Sequence, residues 1–161
     1  MKKNYLLVAF AFLMVLLSGC GKDEDKNQFL HGTYKMVITQ TGDIANFEQT
    51  VGIGGGNGLN NGIFDEQGND LGMNYRLSNE EEQRSSYSYH TAEDGIMMTF
   101  TQVATCEDLN KSMTTKVEVY FDGKLMDTKE RTFKGADSSP FQVSWSQIKL
   151  GQKRTHVFMG G

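Results

Sequence analysis

The sequence has few of the residues that build metal or nucleic-acid sites. The three histidines, His31, His90 and His156, lie far apart in the 161 residues, whereas zinc sites usually contain a close pair of ligands. Acidic side chains outnumber basic ones, 20 to 16, and no basic run occurs, which argues against nucleic acid as a partner. No Gly-x-Ser-x-Gly motif is present, so nothing favours a serine hydrolase. We predict no catalytic residue, no cofactor and no metal site.

A long hydrophobic run is also absent. Tyr5 to Leu17 is an uncharged apolar stretch of 13 residues, and a membrane-spanning helix needs roughly 20. Lys2 and Lys3 precede this stretch, and the small residues Ser18 and Gly19 follow it. A positive end, a short apolar run and a small-residue cleavage site are the three parts of a secretory signal, so we predict a signal peptide over residues 1–19.

The segment Leu17-Ser18-Gly19-Cys20 resembles a lipobox, the lipidation and cleavage site of bacterial lipoproteins. This resemblance implies cleavage before Cys20, a diacylglycerol on the Cys20 thiol and an acyl chain on the new amine. One acyl chain anchors a protein only marginally, but two or three hold it stably. We predict that the protein contacts the membrane through the lipid on Cys20; the alternative is an ordinary secretory signal followed by a chance cysteine.

The residues after Cys20 predict where the lipoprotein is sorted. The residue after Cys20 is Gly21 and not Asp, which at that position resembles an inner-membrane retention signal. Lys22-Asp23-Glu24-Asp25 resembles a surface-export signal of some Gram-negative lipoproteins. The resemblance implies an outer-membrane lipoprotein exposed at the cell surface. The alternative is a solvated tether, which any charged, glycine-containing segment makes; we place the tether at residues 20–28.

Cleavage would leave 142 residues, the size of one domain, which we place at residues 29–161. Because Lys2 and Lys3 are lost, 14 basic residues would face 20 acidic ones, a net charge of −6. If Cys20 carries lipid, Cys106 has no partner for a disulfide. We expect Cys106 to be a small buried apolar residue rather than a reactive thiol.

From Phe29 onward, apolar residues alternate with polar ones and turn residues recur at short intervals, so we predict about ten strands. The turns predict three hairpins, formed by residues 63–65 with 71–77, 85–91 with 96–103, and 115–121 with 124–133. Asp122-Gly123 is the strongest turn signal and predicts a type I′ turn with Val119 opposite Met126. No long amphipathic helix interrupts the strands, so they should pair antiparallel in a two-sheet sandwich or an up-and-down barrel.

Two resemblances bear on that choice. Val117 to Leu125, followed by Pro140-Phe141-Gln142-Val143-Ser144-Trp145, resembles the later strands of bacterial immunoglobulin-like domains. This resemblance covers about a third of the chain and implies a β-sandwich, with Trp145 in its core. Gly32-Thr33-Tyr34-Lys35 is similar to the start of lipocalin-like and avidin-like barrels, with Tyr in place of Trp. We predict an all-β, antiparallel, immunoglobulin-like sandwich, with the barrel as the alternative.

Polar and glycine-rich segments offer weaker candidate sites. Gly52 to Gly62 holds six glycines but leads into a strand, so we expect a mobile loop and not a phosphate cradle. Four side chains around the turn after residue 64 could supply oxygen ligands to Ca²⁺, although turns favour the same residue types: Asp65, Glu66, Asn69 and Asp70. Glu80, Glu81 and Glu82 are expected to form a solvated helical turn.

An aromatic pair provides one further candidate. Tyr87 and Tyr89 share a strand face and could stack on a sugar or a protein partner if exposed. Tyrosine is also a preferred strand residue, so we expect both in the core.

These observations favour a binding or structural module that serves adhesion, docking or a neighbouring complex, with an unidentified protein or glycan as partner and no enzyme activity. The alternative function is a lipid-anchored carrier, which needs an enclosed apolar cavity in a barrel. An enzyme is the third possibility and needs titratable groups that converge in a cleft.

Overall fold

The computed structural model describes residues 32–57, 62–150 and 153–158, in ten strands, one short helix and one 3₁₀ turn. The strands are β1 (Tyr34–Gly42), β2 (Glu48–Gly56), β3 (Ile63–Phe64), β4 (Asn74–Arg76), β5 (Ser86–Thr91), β6 (Met97–Thr105), β7 (Ser112–Phe121), β8 (Lys124–Lys134), β9 (Phe141–Leu150) and β10 (Lys153–Phe158). The 3₁₀ turn is Ile44–Asn46, and the helix α1 is Asn79–Glu82. The predicted signal peptide, Cys20, the tether and His31 lie outside the described residues.

The strands form two five-stranded sheets that pack face to face. Sheet 1 has the order β3-β5-β1-β7-β8, and sheet 2 has the order β10-β9-β6-β2-β4. Every pair of neighbouring strands is antiparallel. The predicted all-β two-sheet sandwich is confirmed, and the sheets do not close into the barrel that was the alternative.

Strand alternation places the core between the sheets. In β7 the side chains of Met113, Thr115, Val117 and Val119 point inward and are fully buried, while the residues that alternate with them are partly exposed. Inward positions of the other strands, together with Phe47 just before β2, supply the remaining large buried side chains, which include Tyr34, Met36, Ile38, Phe100 and Phe133. The interior of the described domain is thus filled by side chains. Trp145, which was expected in the core, is only partly buried and packs against the margin of the core.

A polar layer interrupts this apolar core. Gln40 and Gln102 occupy inward strand positions and are almost fully buried. The amide of Gln40 donates to the Tyr87 hydroxyl at 2.9 Å, and the amide of Gln102 donates to Gln49 Oε1 at 2.7 Å. Buried polar groups need such partners, so Gln49 links the two buried glutamines across the sandwich.

The hairpin of β7 and β8 has the predicted turn. Asp122 and Gly123 have φ angles of 52° and 75°, as a type I′ turn requires, and Phe121 lies opposite Lys124. The predicted pair of Val119 with Met126 is wrong, because an irregularity after Val119 places it opposite Asp127. The extra residue in β8 is a bulge, which turn chemistry alone does not reveal.

Of the two other predicted hairpins, one is wrong and one forms only next to its turn. Strand β5 belongs to sheet 1 and β6 to sheet 2, so the turn between them crosses from one sheet to the other. Residues 63–65 do fold back on 69–72, through an antiparallel bridge between Phe64 and Asp70 and backbone hydrogen bonds on either side of it. Beyond these residues the segments separate, since β3 pairs with β5 while β4 pairs with β2. Turn residues show where a strand ends, but they do not show which sheet the next strand joins.

The glycine-rich segment also differs from the prediction. Residues 52–56 belong to β2, which lies between β6 and β4, and they do not form a loop. A Cβ atom on Gly55 would lie 2.9 Å from Ile63 Cγ2 and from the Met97 carbonyl oxygen. A glycine inside a strand often marks such a close approach, so Gly55 allows β3 to pack against sheet 2. Gly58 lies outside the described residues.

Candidate ligand-binding face

One row of side chains crosses the solvent side of sheet 1 from edge to edge. Each member lies directly opposite the next one on the neighbouring strand, from β3 through β5, β1 and β7 to β8. We name this set the outer row: Phe64, His90, Lys35, Tyr120 and Leu125.

Alternation explains why these residues face solvent. Their sequence neighbours Ile63, Tyr89 and Tyr34 point into the core, and successive side chains of a strand point to opposite faces. Residues opposite each other on antiparallel strands have Cβ atoms about 5 Å apart. The outer row is therefore a continuous line of side chains and not a scattered set.

The outer row combines aromatic faces with a cation. The rings of Phe64 and His90 are stacked, with centroids 5.6 Å apart and an interplanar angle of 26°. Leu125 is 48% exposed at the far edge. Lys35 is exposed, and it makes no ion pair with any described residue. The row thus offers apolar surface and a free charge in one place.

The middle of the row lines an open depression of about 560 Å³. Lys35, His90 and Tyr120 form its floor, and the turn at Asp122 and Gly123 forms its wall. The backbone N–H of Asp122 donates to the Thr33 carbonyl at 3.0 Å, which ties that turn to the start of β1. Sequence reasoning missed this face because its members come from five separate segments.

The aromatic pair considered in the sequence lies elsewhere. Tyr87 and Tyr89 are each 4% exposed and pack in the core, as expected. Burial raises the pKa of both hydroxyl groups far above the ordinary value. On strand β5 it is His90, between Tyr89 and Thr91, that faces solvent.

The oxygen ligands proposed around the turn after Phe64 are already engaged. Asp65 Oδ1 accepts hydrogen bonds from the backbone N–H groups of Gln67 and Asn69, and its Oδ2 accepts from Asn69 Nδ2 at 2.8 Å. The side-chain hydrogen bond from Asn69 is the main reason that the pKa of Asp65 is lowered. Asp70 accepts from the Gly72 N–H, and Glu66 accepts from the Ser88 hydroxyl. These side chains shape a turn and do not converge on a cation.

Other carboxylates of the described loops have protein partners too. Asp43 binds Lys111 Nζ at 3.0 Å and the N–H of Ser112, and the bond to Lys111 holds its pKa below the usual value. Asp137 accepts from the Ser139 N–H and pairs with Arg131, and both bonds lower its pKa. Among the residues that the structure describes, no three His, Cys, Asp or Glu side chains lie close enough to hold a metal.

Glu82 departs from the prediction that Glu80, Glu81 and Glu82 form a solvated turn. Ser78 caps α1 in a reciprocal pair with Glu81, but Glu82 is only 3% exposed. Its Oε1 accepts the backbone N–H of Val51 at 3.0 Å. Strand β4 is too short to pair with this part of β2, so a side chain from α1 completes the sheet edge.

His90 and His156 lie in different environments, as their separation in sequence suggests. The Tyr34 hydroxyl lies 2.6 Å from His156 Nδ1, and the His156 ring packs 4.3 Å from the Phe121 ring centroid. Burial lowers the pKa of His156.

Cys106 is buried, as predicted, and forms no disulfide within the described residues.

The sequence profile of one protein family matches residues 2–150, and its description is PLCC, PLAT/LH2 and C2-like Ca²⁺-binding lipoprotein. The chain belongs to the PLCC family. This membership supports the prediction of a lipoprotein. No curated protein matches the chain, and no helix of the described residues is long and apolar enough to cross a membrane.

Three solved structures from Bacteroides and Parabacteroides share this fold. A domain of unknown function, DUF4425, from Bacteroides vulgatus is 25% identical, with a TM-score of 0.66 over 75% of this chain and 100% of that one. A DUF4425 family protein from Bacteroides ovatus is 26% identical, with a TM-score of 0.61 over 71% of this chain and 95% of that one. The calcium-bound form of a protein from Parabacteroides distasonis is 20% identical, with a TM-score of 0.59 over 84% and 99%.

The PLCC description compares the sandwich with PLAT/LH2 and C2 domains. Both elements that carried the immunoglobulin-like resemblance, the Asp122-Gly123 turn and the strand after Pro140, lie in the observed sandwich. The immunoglobulin-like subclass itself stays a prediction.

Proposed function

We propose that this PLCC protein is a lipid-anchored binding module at the outer surface of the outer membrane, without catalytic activity. The observation that carries the binding role is the outer row, where aromatic faces and an unpaired lysine share one rigid sheet face. The anchoring role is supported by the lipobox at Leu17 to Cys20 and by the family description. Palmitate or a similar acyl chain on Cys20 is part of the proposal.

The position of the outer row is consistent with an anchored module. Eleven residues, 21–31, separate Cys20 from the first described residue, Gly32, and the twelve steps along the chain span at most about 40 Å. The chain enters sheet 1 at Tyr34, beside the turn that walls the depression. A ligand on the outer row would therefore be held within a few tens of ångströms of the membrane.

Calcium binding by this chain is suggested only by the family description. The carboxylates of Asp43, Asp65 and Asp137 are engaged by protein donors, and Ca²⁺ usually takes six to eight oxygen ligands. The described residues therefore do not fit a preformed calcium site, and no part of the proposed role depends on the ion. The carrier alternative has no supporting observation within the described residues.

The lipid anchor is tested by metabolic labelling. Cells that express the protein should incorporate labelled palmitate into it, because Cys20 is the proposed acylation site. The variant Cys20→Ala should lose the label and appear in the soluble fraction. Cys106→Ala, which removes the other cysteine, should keep both the label and the membrane association. Label that persists in Cys20→Ala would contradict the anchor.

A further inference from the structure

We propose that the outer row binds an acidic saccharide, with Lys35 holding a carboxylate and aromatic side chains contacting sugar rings. This inference rests on the proposed role as a binding module and names the ligand class of that site. Its chemistry is that of sugar rings that each have an apolar face, several hydroxyl groups and one carboxylate.

The aromatic side chains supply the ring contacts. Tyr120 and His90 lie on the strands that flank β1, and neighbouring strands are about 4.8 Å apart. The two rings are therefore about 10 Å apart with Lys35 between them, a separation that suits the first and third rings of a trisaccharide. A half-exposed tyrosine offers an apolar face and a hydroxyl group together, which matches a pyranose ring edged by hydroxyl groups.

The positive charge of Lys35 favours an acidic saccharide over a neutral one. Lys35 has no ion-pair partner in the described part of the chain, whereas the neighbouring cation of the same face, Lys116, pairs with Glu118 at 3.2 Å. Lys111, Lys129 and Arg131 are also in ion pairs. Within the outer row, Lys35 is the only lysine, so its ammonium group is available to a carboxylate of the ligand.

The same charge argument disfavours larger polyanions. Recognition of anionic lipid surfaces uses clusters of four to eight basic residues, and nucleic acid requires several phosphate contacts. The outer row has one free lysine, and Asp122 lies at the wall of its depression. The Asp122 carboxylate can instead accept hydrogen bonds from sugar hydroxyl groups, and the Thr33 hydroxyl can donate or accept them.

The site is also pre-organised. Strand β1 is the central strand of sheet 1 and pairs along its length with β5 and β7. Side chains on such strands are held more precisely than those on loops. The ligand would therefore meet a surface that needs little rearrangement, and binding would lose little free energy to ordering.

The test is a titration of the ¹⁵N-labelled mature chain carrying Cys20→Ala, followed by NMR. We expect a galacturonic acid trimer to shift the amide signals of Lys35, His90 and Tyr120. Maltotriose, a neutral trimer, should bind at least about tenfold more weakly, since a hydrogen bond to a charged group contributes about 1.5–3 kcal/mol. Acetate alone should produce no comparable shifts.

Matched variants assign the binding to the outer row. Lys35→Gln should weaken the acidic trimer about tenfold or more and leave the neutral trimer unchanged, while Tyr120→Thr should weaken both. Lys116→Gln removes a charge from the same face two rows away and should bind like the unmodified protein. Amide spectra of each variant without ligand show that its fold is retained.

Three outcomes would overturn this inference: no shifts in the outer row at millimolar trimer, equal binding of Lys35→Gln, or stronger shifts with phosphatidylglycerol vesicles than with the trimer. The proposed function fails separately, if the protein is neither acylated nor exposed on intact cells. If the protein is anchored at the surface but its outer row does not bind the trimer, the binding-module role stands and only the assignment of the saccharide ligand is rejected.

Discussion

At the scale of single residues, the most consequential side chain outside the outer row is Glu82. It is buried at the end of α1 and accepts the N–H of Val51, and its backbone carbonyl accepts from Gln49 Nε2 at 2.9 Å. A backbone N–H left without a partner in the interior is destabilising. Glu82 resembles an ordinary charged surface residue in the sequence, yet its side chain completes the hydrogen bonding at the edge of sheet 2.

This role predicts the effect of substituting Glu82. Glu82→Ala should lower the free energy of unfolding by about 1–3 kcal/mol, because the N–H of Val51 loses its acceptor. Glu82→Gln retains an oxygen at the same position and should lose less. Urea denaturation measures both, with Glu80→Ala as the exposed control. Equal stability of Glu82→Ala and Glu80→Ala would show that the bond to Val51 contributes nothing.

The turn residue Gly123 gives a second prediction at this scale. Its φ of 75° lies in the left-handed region, so Gly123→Val should lower the free energy of unfolding by about 1–3 kcal/mol. Gly52 is the suitable control, because its φ is ordinary and a Cβ there meets nothing within 4 Å. Gly56, which lies in the segment predicted to be a mobile loop, has a φ of 119° and ends β2, so it is unsuitable as a control.

Thermal melting of Gly123→Val and Gly52→Ala distinguishes conformational strain from a general effect of added side chains. Gly52→Ala should be neutral or slightly stabilising, since alanine restricts the unfolded chain more than glycine does. A similar fall in both variants would mean that the φ of Gly123 is not what limits substitution.

At the scale of elements, ion pairs and short hydrogen bonds hold the connecting loops to one another. Asp43, after β1, binds Lys111 and Ser112, which begin β7. Asp137, between β8 and β9, binds Arg131 of β8. Each bond joins a loop to a strand end, so the loops at this end of the sandwich depend on carboxylate charge.

These bonds predict how stability depends on pH. Asp43, Asp65 and Asp137 have pKa values in the folded state below the ordinary one, which is about 3.9 in an unfolded chain. Their contribution is therefore present above about pH 4 and is lost as the pH falls through the lower folded-state pKa values. The melting temperature should fall progressively below about pH 4.

The contribution of one carboxylate can be isolated with Asp43→Asn. This variant should melt at a lower temperature than the unmodified protein at pH 7 and should show a smaller further fall between pH 5 and pH 2.5. Asp122→Asn is the matched control, because asparagine suits the left-handed turn position and should preserve the full pH dependence. A parallel acid profile for Asp43→Asn and the unmodified protein would contradict the role of the Lys111 pair.

At the scale of the whole molecule, the proposed outer-membrane anchor raises the question of which side of that membrane the sandwich occupies. Lys22 to Asp25 resembles a surface-export signal and lies directly behind the proposed lipid on Cys20. Intact cells treated with external protease should therefore lose the protein. Replacing Asp23, Glu24 and Asp25 by Ala should protect it without releasing it from membranes.

The control for this prediction is Glu107→Ala with Asp108→Ala, which removes acidic residues from an exposed loop of the folded domain. That variant should remain as sensitive to external protease as the unmodified protein. If the protease never reaches the unmodified protein in intact cells, the charged segment is only a tether and the outer row faces the periplasm.

Features that depend on neighbouring residues alone were predictable from the sequence. The alternation of β7 and the Asp122-Gly123 turn each follow from a few adjacent residues, since pleat and φ preference are local properties. The predicted sandwich followed from short strands without a crossover helix. The lipobox is likewise a local motif, and the family comparison supports the lipoprotein that it predicts.

The tertiary structure alone decided which strands share a sheet. The turn before Met97 has ordinary turn chemistry, yet β6 pairs with β2 and β9, which are distant in sequence, and β3 pairs with β5. The burial of polar side chains also depends on distant residues: Glu82 is buried because the backbone N–H of Val51, 31 residues away, needs an acceptor. Lys35, His90 and Tyr120 form one face only because β5 and β7 flank β1. Such pairings follow from the sum of non-local packing and hydrogen bonds, which no short stretch of sequence contains.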